Sequence, residues 1–124
     1  MPYLEESDIA WLASAIDGEG TISIGKSRCI VQIAIYNTNK EYTDRAARLM
    51  GCKVYKLDTT KNKIKGLGYC YSAYTNRKMT VLKILKQIEP KLIIKRNKAI
   101  EGIRTILDYY DIADVVLRAG LNLP

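Results

Sequence analysis

The sequence contains no histidine, and its three cysteines show no Cys-x-x-Cys spacing. Zinc sites in proteins are built from cysteine and histidine at short, characteristic intervals, so we expect no zinc site. An odd number of cysteines without a disulfide framework is typical of thiols in a reducing compartment. We therefore expect core thiols at Cys29, Cys52 and Cys70, and an intracellular protein that is cytoplasmic in a prokaryote or organellar in a eukaryote.

The chain also lacks a visible targeting segment. Glu5, Glu6 and Asp8 stand where a signal peptide would carry basic residues, and no apolar run approaches the roughly 18 residues of a membrane span. Tracts rich in proline, serine or glycine and internal repeats are absent, which argues against a disordered or fibrous chain. The 124 residues predict a single domain, 1–124, with its core over about 4–107.

Charge is distributed unevenly along the chain, whose formal net charge is +7. Residues 1–25 carry five acidic and no basic residues, and residues 101–124 carry four acidic and two basic residues. Residues 26–100 carry eighteen basic and four acidic residues. A basic stretch of this length favours a polyanionic partner, although a solvated basic surface has the same composition.

Hydrophobic periodicity predicts an α+β fold. Apolar residues three or four apart indicate helices, and strict alternation indicates strands. The predicted elements are helix 8–17, strands 20–27 and 31–36, helix 40–50, strands 53–57 and 69–74, and helices 78–88, 90–107 and 109–121. This order predicts a four-stranded antiparallel sheet with helices on one face. The other face is open, and we expect it to carry much of the positive charge.

Particular residues predict where these helices begin and end. Ser7 and Asn39 are residue types that accept hydrogen bonds from the first turn of a helix, so both are predicted caps. Gly18 and Gly51 predict helix ends. Pro90 predicts the start of the long helix, because proline lacks the N–H that is unpaired there.

Residues 12–20 read Leu-Ala-Ser-Ala-Ile-Asp-Gly-Glu-Gly. This segment resembles the LAGLIDADG motif of a family of homing endonucleases and maturases: it keeps the initial Leu-Ala, the Ile-Asp pair, an acid at the eighth position and the final glycine. The surrounding order αββαββα is also that of the family. The resemblance implies the LAGLIDADG homing-endonuclease fold, with a four-stranded antiparallel sheet that binds DNA.

The motif occurs once in this sequence, so the resemblance implies a homodimer that brings two copies together. Small side chains allow the backbone of the motif helix to approach a partner helix closely, since large ones would hold the two axes apart. Asp17 is expected at the same seam, bonded to backbone near the helix ends. The predicted dimer interface consists of Ala10, Ala13, Ser14 and Asp17.

The resemblance also implies a metal site at the end of the motif helix. Glu19 stands at the position of the metal-binding acid, and the flanking Gly18 and Gly20 would direct it out of the helix end. In the family the backbone carbonyl just before this acid also faces metal, which here is that of Gly18. Such oxygen ligands suit Mg²⁺, and Mn²⁺ is expected to substitute.

Two further catalytic residues are carried over from the family. Asn37 matches a polar residue that positions water or metal, and Asn39 is the alternative if the register is shifted by two. Lys95 matches a lysine at the start of the long helix that lies near the cleaved phosphate, where it would polarise water or neutralise charge. An ordinary surface lysine is the alternative interpretation of Lys95.

The open sheet face is the predicted DNA-binding surface. A curved antiparallel ribbon fits the major groove, where side chains of one parity reach base edges and basic residues meet phosphates. The predicted contacts are Ser23, Lys26, Ser27, Arg28, Gln32 and Tyr36 from the first two strands, Lys53, Lys56 and Tyr71 from the later strands, and Lys61, Lys63 and Lys65 from the hairpin. The hairpin lysines are equally consistent with a solvated turn.

The function implied by the resemblance is an intron-encoded homing endonuclease that makes a double-strand break in a long pseudo-palindromic DNA site by metal-dependent phosphodiester hydrolysis. The alternative is a relative that binds nucleic acid without cutting it, such as an RNA-splicing maturase, which would also retain Glu19 and Lys95. A basic α/β protein outside this family is the remaining alternative, and it requires the motif match to be chance.

Overall fold

The computed structural model describes residues 3–25, 27, 29–58 and 69–118. Its helices and strands are α1 Glu6–Glu19, β1 Gly20–Gly25, β2 Ile30–Asn37, α2 Lys40–Met50, β3 Val54–Asp58, β4 Tyr69–Thr75, α3 Lys78–Ile88 and α4 Arg96–Arg118. The predicted α+β class, with a four-stranded antiparallel sheet, is confirmed. Within the described ranges, no helix is long and apolar enough to cross a membrane.

The sheet has the strand order β1-β2-β4-β3, and all neighbouring strands are antiparallel. The register aligns Gly20, Ile35, Ala73 and Val54 in one row across the four strands. Because neighbouring strands lie about 4.8 Å apart, this row is about 14 Å long. It joins the end of α1 to the segment that precedes β3.

The hydrophobic core lies between the helices and one face of the sheet. Val31, Ile33 and Ile35 of β2 are fully buried there, as are Leu12 and Ile16 of α1. Side chains alternate between faces along a strand, so the intervening residues of β2 point to the opposite, open face. One face of the sheet is thus buried in the hydrophobic core, and the other is open to a partner.

The start of α1 differs from the prediction. The helix begins at Glu6 after Glu5, whose side chain makes no capping hydrogen bond, so the Ser7 cap is wrong. Glu6 and Asp8 both lie in the first turn. Acidic side chains interact favourably with the positive end of the helix dipole there, which is an alternative to a side-chain cap.

The predicted helix stop at Gly18 is also wrong. α1 continues through Gly18 to Glu19, and β1 begins at Gly20. Neither glycine has a positive φ. A Cβ at Gly20 would lie 2.9 Å from the Cα of Ile16 and 3.1 Å from the carbonyl oxygen of Ala34. Gly20 is therefore required by the close approach of backbones and not by a left-handed turn.

Helix α2 matches the prediction at both ends. The Oδ1 of Asn39 accepts a hydrogen bond from the N–H of Tyr42 at 3.1 Å, and Gly51 ends the helix with φ 67°. Helix α3 also has its predicted bounds, and every strand end lies within two residues of its prediction.

The segment after α3 does not form the predicted helix. Pro90 lies in a short 3-10 turn, Glu89–Lys91, and α4 begins only at Arg96. α4 then continues to Arg118 as one helix, so the separate C-terminal helix at 109–121 is wrong. The backbone N–H groups of residues 93–95 are bound by a side chain of α1, which holds this segment out of a helix.

The three cysteines are not disulfide-bonded, but each is only half-buried. Cys70 pairs with Leu57 on the open face of the sheet, and Cys52 lies in the turn between α2 and β3. Cys52 packs against the hydrophobic core, as the prediction of core thiols requires, but Cys29 and Cys70 do not. Their positions at turns and on the open face leave them partly accessible.

Candidate functional site

Glu19 is the last residue of α1 and is exposed at the corner where the helix meets the sheet. Its carboxylate makes no hydrogen bond or ion pair with the described residues. The pKa of Tyr42 is raised, first by burial and then by the charge of Glu19, so the phenol lies within reach of that charge. The close contact at Gly20 fixes the corner, and Glu19 is left as a carboxylate without a partner at a defined position.

Asp17, two residues earlier, has the opposite environment. Its carboxylate accepts hydrogen bonds from the backbone N–H groups of Ile93 at 2.7 Å, Ile94 at 3.2 Å and Lys95 at 3.0 Å. Desolvation raises the pKa of Asp17, but these three hydrogen bonds and the charge of Lys95 outweigh it and bring the pKa below its ordinary value. Asp17 thus binds the backbone that leads into α4.

Lys95 makes the reciprocal contact. Its Nζ donates to the carbonyl oxygens of Ile16 and Asp17, at 2.8 Å in each case. The ammonium satisfies the Asp17 carbonyl, shares the Ile16 carbonyl with the N–H of Gly20, and opposes the negative end of the helix dipole. We call these five hydrogen bonds the Asp17–Lys95 clamp. An ammonium has three N–H groups, so one remains for a ligand.

Asn37 and Asn39 both use their side-chain oxygens locally. The Oδ1 of Asn37 accepts from the N–H of Asn39 at 2.7 Å, and the Oδ1 of Asn39 caps α2. Asn37 ends β2, as the predicted strand parity requires. Its NH₂ group, a donor, is the part of the carboxamide that is left to orient water.

The oxygens at the end of α1 fit a hard divalent cation. Gly18 is exposed, and its carbonyl follows the two that Lys95 has taken. Together with the Glu19 carboxylate it offers the ligand type that Mg²⁺ prefers, and Mg²⁺ usually keeps several waters. No group of three Asp, Glu, His or Cys side chains converges anywhere in the part of the chain that the structure describes.

A groove of about 430 Å³ runs along the exposed side of α1. Ala10, Ser14 and Gly18 lie one helical turn apart along it, and Ile93 and Ile94 form its opposite wall. These two isoleucines are 86% and 75% exposed, respectively. We call this surface the α1 groove.

The α1 groove corrects one residue of the predicted dimer interface. Ala13 is 1% exposed and packs in the core of its own chain, so it is not available to a partner. Ala10 and Ser14 are exposed, and Asp17 lines the groove while it holds the clamp. Apolar periodicity over the predicted helix 90–107 places Ile93 on its buried face, and only the bend after Pro90 brings this residue to the surface.

On the open face, the structure brings together Ser23, Gln32 and Tyr36. Ser23 is paired with Gln32 across the hairpin, and Tyr36, on the same face as Gln32, lies one position before the end of β2. Ser27 is exposed in the turn between the strands. Lys26, Arg28, Lys61, Lys63 and Lys65 lie outside the described residues.

Two of the predicted DNA contacts lie on the wrong face. Lys56 pairs with Tyr71, and the register places both on the side of Val54 and Ala73, opposite Tyr36. The Nζ of Lys56 lies 3.9 Å from the ring centroid of Tyr69 on that side. In the described strands no Lys or Arg side chain shares the open face, so the prediction that this face is strongly basic is wrong for them.

The residues that occupy the open face of the later strands were not among the predicted DNA contacts. Tyr55 and Ser72 are paired there, and Tyr74 lies beside them opposite Ala34. Tyr69, Tyr71 and Tyr74 fall on both parities of β4, so aromatic spacing alone gives no face. If Ala73 is taken as a core residue, the alternation of side chains along a strand assigns its two neighbours, Ser72 and Tyr74, to the open face.

Comparisons with known proteins identify the fold. No family model and no curated protein matches this sequence. A crystal structure of the homing endonuclease I-CvuI in complex with its target, in the presence of 2 mM Ca, matches with a TM-score of 0.61 and 19% identity over 82% of this chain and 69% of that one.

A second structure of I-CvuI, in complex with the I-CreI target and 2 mM Mg and with its DNA not cleaved, matches with a TM-score of 0.60 and 18% identity over 82% of this chain and 66% of that one. The chain thus spans about two thirds of the length of these structures. The fold that the motif at residues 12–20 implied is confirmed: this chain has the fold of the LAGLIDADG homing endonuclease I-CvuI.

Proposed function

We propose that this chain is the subunit of a homodimeric homing endonuclease, encoded by an intron, which makes a double-strand break in a long pseudo-palindromic DNA site by metal-dependent phosphodiester hydrolysis. The observation that carries this proposal is the Glu19 carboxylate, which has no partner among the described residues and is fixed by Gly20 at the edge of an open sheet, in the fold of DNA-bound homing endonucleases. We also propose an intracellular location, since the substrate is cellular DNA.

The residues at this corner divide the chemistry between them. The Glu19 carboxylate and the Gly18 carbonyl would hold Mg²⁺, or Mn²⁺ in its place. The chemistry that the bound ion supplies is neutralisation of charge on the scissile phosphate and activation of water. The third N–H of Lys95 is free to donate to a phosphate oxygen, and the NH₂ group of Asn37 is free to orient the attacking water.

The homodimer follows from what one chain lacks. Each described chain offers one carboxylate without a partner at this corner, and a two-fold axis along the α1 groove would bring two Glu19 residues together. The small residues Ala10, Ser14 and Gly18 permit close approach of two α1 helices. Ile93 and Ile94 would then be buried at the seam, which accounts for two exposed aliphatic side chains beside each other.

The experiment that tests the nuclease uses DNA that spans the candidate insertion site without its intron. We expect cleavage of both strands by the wild-type protein with Mg²⁺ and none with EDTA. Glu19→Gln should bind the same DNA without cutting it, and Glu41→Gln, which makes the same change at an exposed residue of α2, should cut normally. Binding without cutting by the wild-type protein contradicts the nuclease and favours the maturase alternative, which a splicing assay with the precursor RNA would then test.

Dimerisation is tested separately by sedimentation. We expect the mass of two chains for the wild-type protein and of one chain for Ile93→Asp. Ile112→Asp is the matched control, because Ile112 is also exposed but lies on α4 away from the α1 groove. A monomeric wild-type protein on its target DNA would rule out the homodimer.

A further inference from the structure

A second cleft, of about 410 Å³, lies at the far end of the row that starts at Gly20. It opens where β3 begins and β4 ends, and Lys53, Tyr55, Tyr74, Asn76 and Arg77 are among its lining residues. We call it the distal cleft. None of these residues was given a defined role by the sequence except Lys53, which was expected only to face DNA.

One wall of the distal cleft is a tyrosine pair. The rings of Tyr55 and Tyr74 are stacked with centroids 5.2 Å apart and an interplanar angle of 23°. Their hydroxyl groups are hydrogen-bonded to each other. Each phenol has one O–H, and one of the two O–H groups donates to the other hydroxyl, so the second O–H can donate to a ligand. The pair is half-exposed and therefore accessible.

The lining of the cleft also includes two cations, Lys53 and Arg77. Both are exposed, and neither has an acidic partner among the described side chains. Several other basic residues of the chain are paired: Lys40 lies 2.7 Å from Asp44, Arg96 3.1 Å from Glu89, and Arg45 3.6 Å from Asp8. Lys53 and Arg77 are thus positive charges that the fold itself does not use.

The backbone at this position adds to the attraction for an anion. Arg77 precedes α3, an eleven-residue helix, and its side chain makes no capping hydrogen bond. The first N–H groups of a helix lack partners within it and form the positive end of its dipole. An anion in the distal cleft would meet the guanidinium of Arg77 and the ammonium of Lys53, beside the residue that precedes the positive end of α3, and cations of this kind bind phosphate.

We infer that the distal cleft binds a backbone phosphate of the DNA that lies on the open sheet face, with Lys53 and Arg77 as its cationic ligands and the Tyr55–Tyr74 pair as a wall that donates one O–H. This inference rests on the proposed function, because the DNA must lie on that face. Tyr36 and Tyr55 flank Ser72 in one row, so the surface is continuous from β2 to the cleft.

The phosphate in the distal cleft is not the one that is cut. The row between Gly20 and Val54 is about 14 Å long, which corresponds to about four nucleotide steps of 3.4 Å. The distal cleft therefore holds a flanking phosphate and sets the position of the duplex relative to Glu19. Such a contact contributes affinity and register but carries no base information.

The experiment measures binding of a 30-base-pair duplex of arbitrary sequence, without divalent metal, over a range of salt concentrations. Each lost phosphate contact reduces the steepness of log K against log salt by about 0.9, and Lys53 and Arg77 share one phosphate, so we expect the Lys53→Gln, Arg77→Gln double variant to reduce it by about 0.9. The matched control, Lys86→Gln with Arg104→Gln, removes the same charge from exposed residues of α3 and α4 and should leave the slope within about 0.5 of wild type.

The tyrosine pair has its own variant. Tyr55→Phe with Tyr74→Phe keeps both rings but removes the donor, and we expect weaker binding with an unchanged melting temperature. Equal slope changes in the cleft and control variants would overturn the inference, because net charge would then explain both. So would an unchanged slope in the cleft variant.

The outcomes separate this inference from the nuclease. A wild-type protein that binds through Lys53 and Arg77 but cuts no target supports the cleft and contradicts the proposed nuclease. A wild-type protein that cuts its target, with a cleft variant that retains the wild-type slope, supports the proposed nuclease and contradicts the phosphate site in the distal cleft. A wild-type protein that binds no duplex contradicts both.

Discussion

The two ends of the row from Gly20 to Val54 hold their charges differently. At the α1 end, Asp17 and Lys95 are each bonded to the backbone of the other's segment, and Glu19 has no hydrogen-bond or ion-pair partner in the described part of the chain. At the distal cleft, Lys53 and Arg77 are both exposed and have no acidic partner among the described residues. One end thus presents a carboxylate, and the other presents two cations.

This difference separates charges that hold the fold from charges left for ligands. The Asp17–Lys95 clamp spans 78 residues of sequence and joins two helix ends, so its loss should affect stability. Glu19, Lys53 and Arg77 contact little in their own chain, so their loss should affect binding or catalysis and leave the fold intact. The following changes test that separation, from the largest expected effect to the smallest.

Glu19→Gln should lower the cleavage rate by at least about 100-fold, because a ligand for the metal is lost where charge develops. Its free energy of unfolding should stay within about 0.5 kcal/mol of wild type, since the side chain is exposed and has no hydrogen-bond or ion-pair partner among the described residues. Single-turnover cleavage and urea unfolding of the same preparation check both statements. A large loss of stability would mean that Glu19 stabilises the fold, as Asp17 and Lys95 do, and is not a charge left for a ligand.

Gly20→Ala should lower the free energy of unfolding by about 2–3 kcal/mol, because the new methyl group meets backbone atoms of Ile16 and Ala34 that cannot rotate away. Gly18→Ala is the control: no atom lies within 4 Å of its Cβ position, and alanine favours a helix. Urea unfolding distinguishes them. Equal losses at the two glycines would contradict the close approach at Gly20.

Asp17→Ala should lower the free energy of unfolding by about 1–2 kcal/mol, since it removes a cap from the backbone N–H groups that lead into α4. Asp44→Ala, which removes an exposed acid paired only with Lys40, should cost less than about 0.5 kcal/mol. Thermal or urea unfolding measures the difference. An equal cost at both positions would mean that the clamp contributes no more than a surface ion pair.

The smallest effect is a pH dependence of the same clamp. The pKa of Asp17 is lower in the folded chain than in an unfolded one, so its stabilisation is fully present above the unfolded value of about 3.9 and is lost as the pH falls through the lower folded value. The difference in stability between wild type and Asp17→Asn should therefore shrink below about pH 4. A difference that grows on acidification would have the wrong sign for a carboxylate held ionised.

Local patterns predicted the parts of the fold that depend on neighbouring residues. Asn39 and Gly51 fix α2 because a cap and a left-handed glycine act on the helix that they adjoin. Alternation in β2 gave the correct core face, with Val31, Ile33 and Ile35 buried. The same reasoning failed for α1 and Pro90, because Lys95 and Asp17 stabilise those helix ends from about 78 positions away in sequence.

The sequence by itself determined the order of helices and strands and the identity of Glu19 as the acid at the end of the motif helix, since periodicity and motif spacing are local properties. Only the tertiary structure decided which charges are available. The strand register places Tyr55 and Tyr74 on the open face, and Lys56 and Tyr71 on the other. Packing buries Ala13 in the core and leaves Ile93 exposed. Pairing between distant segments sets each of these outcomes, and no local pattern records it.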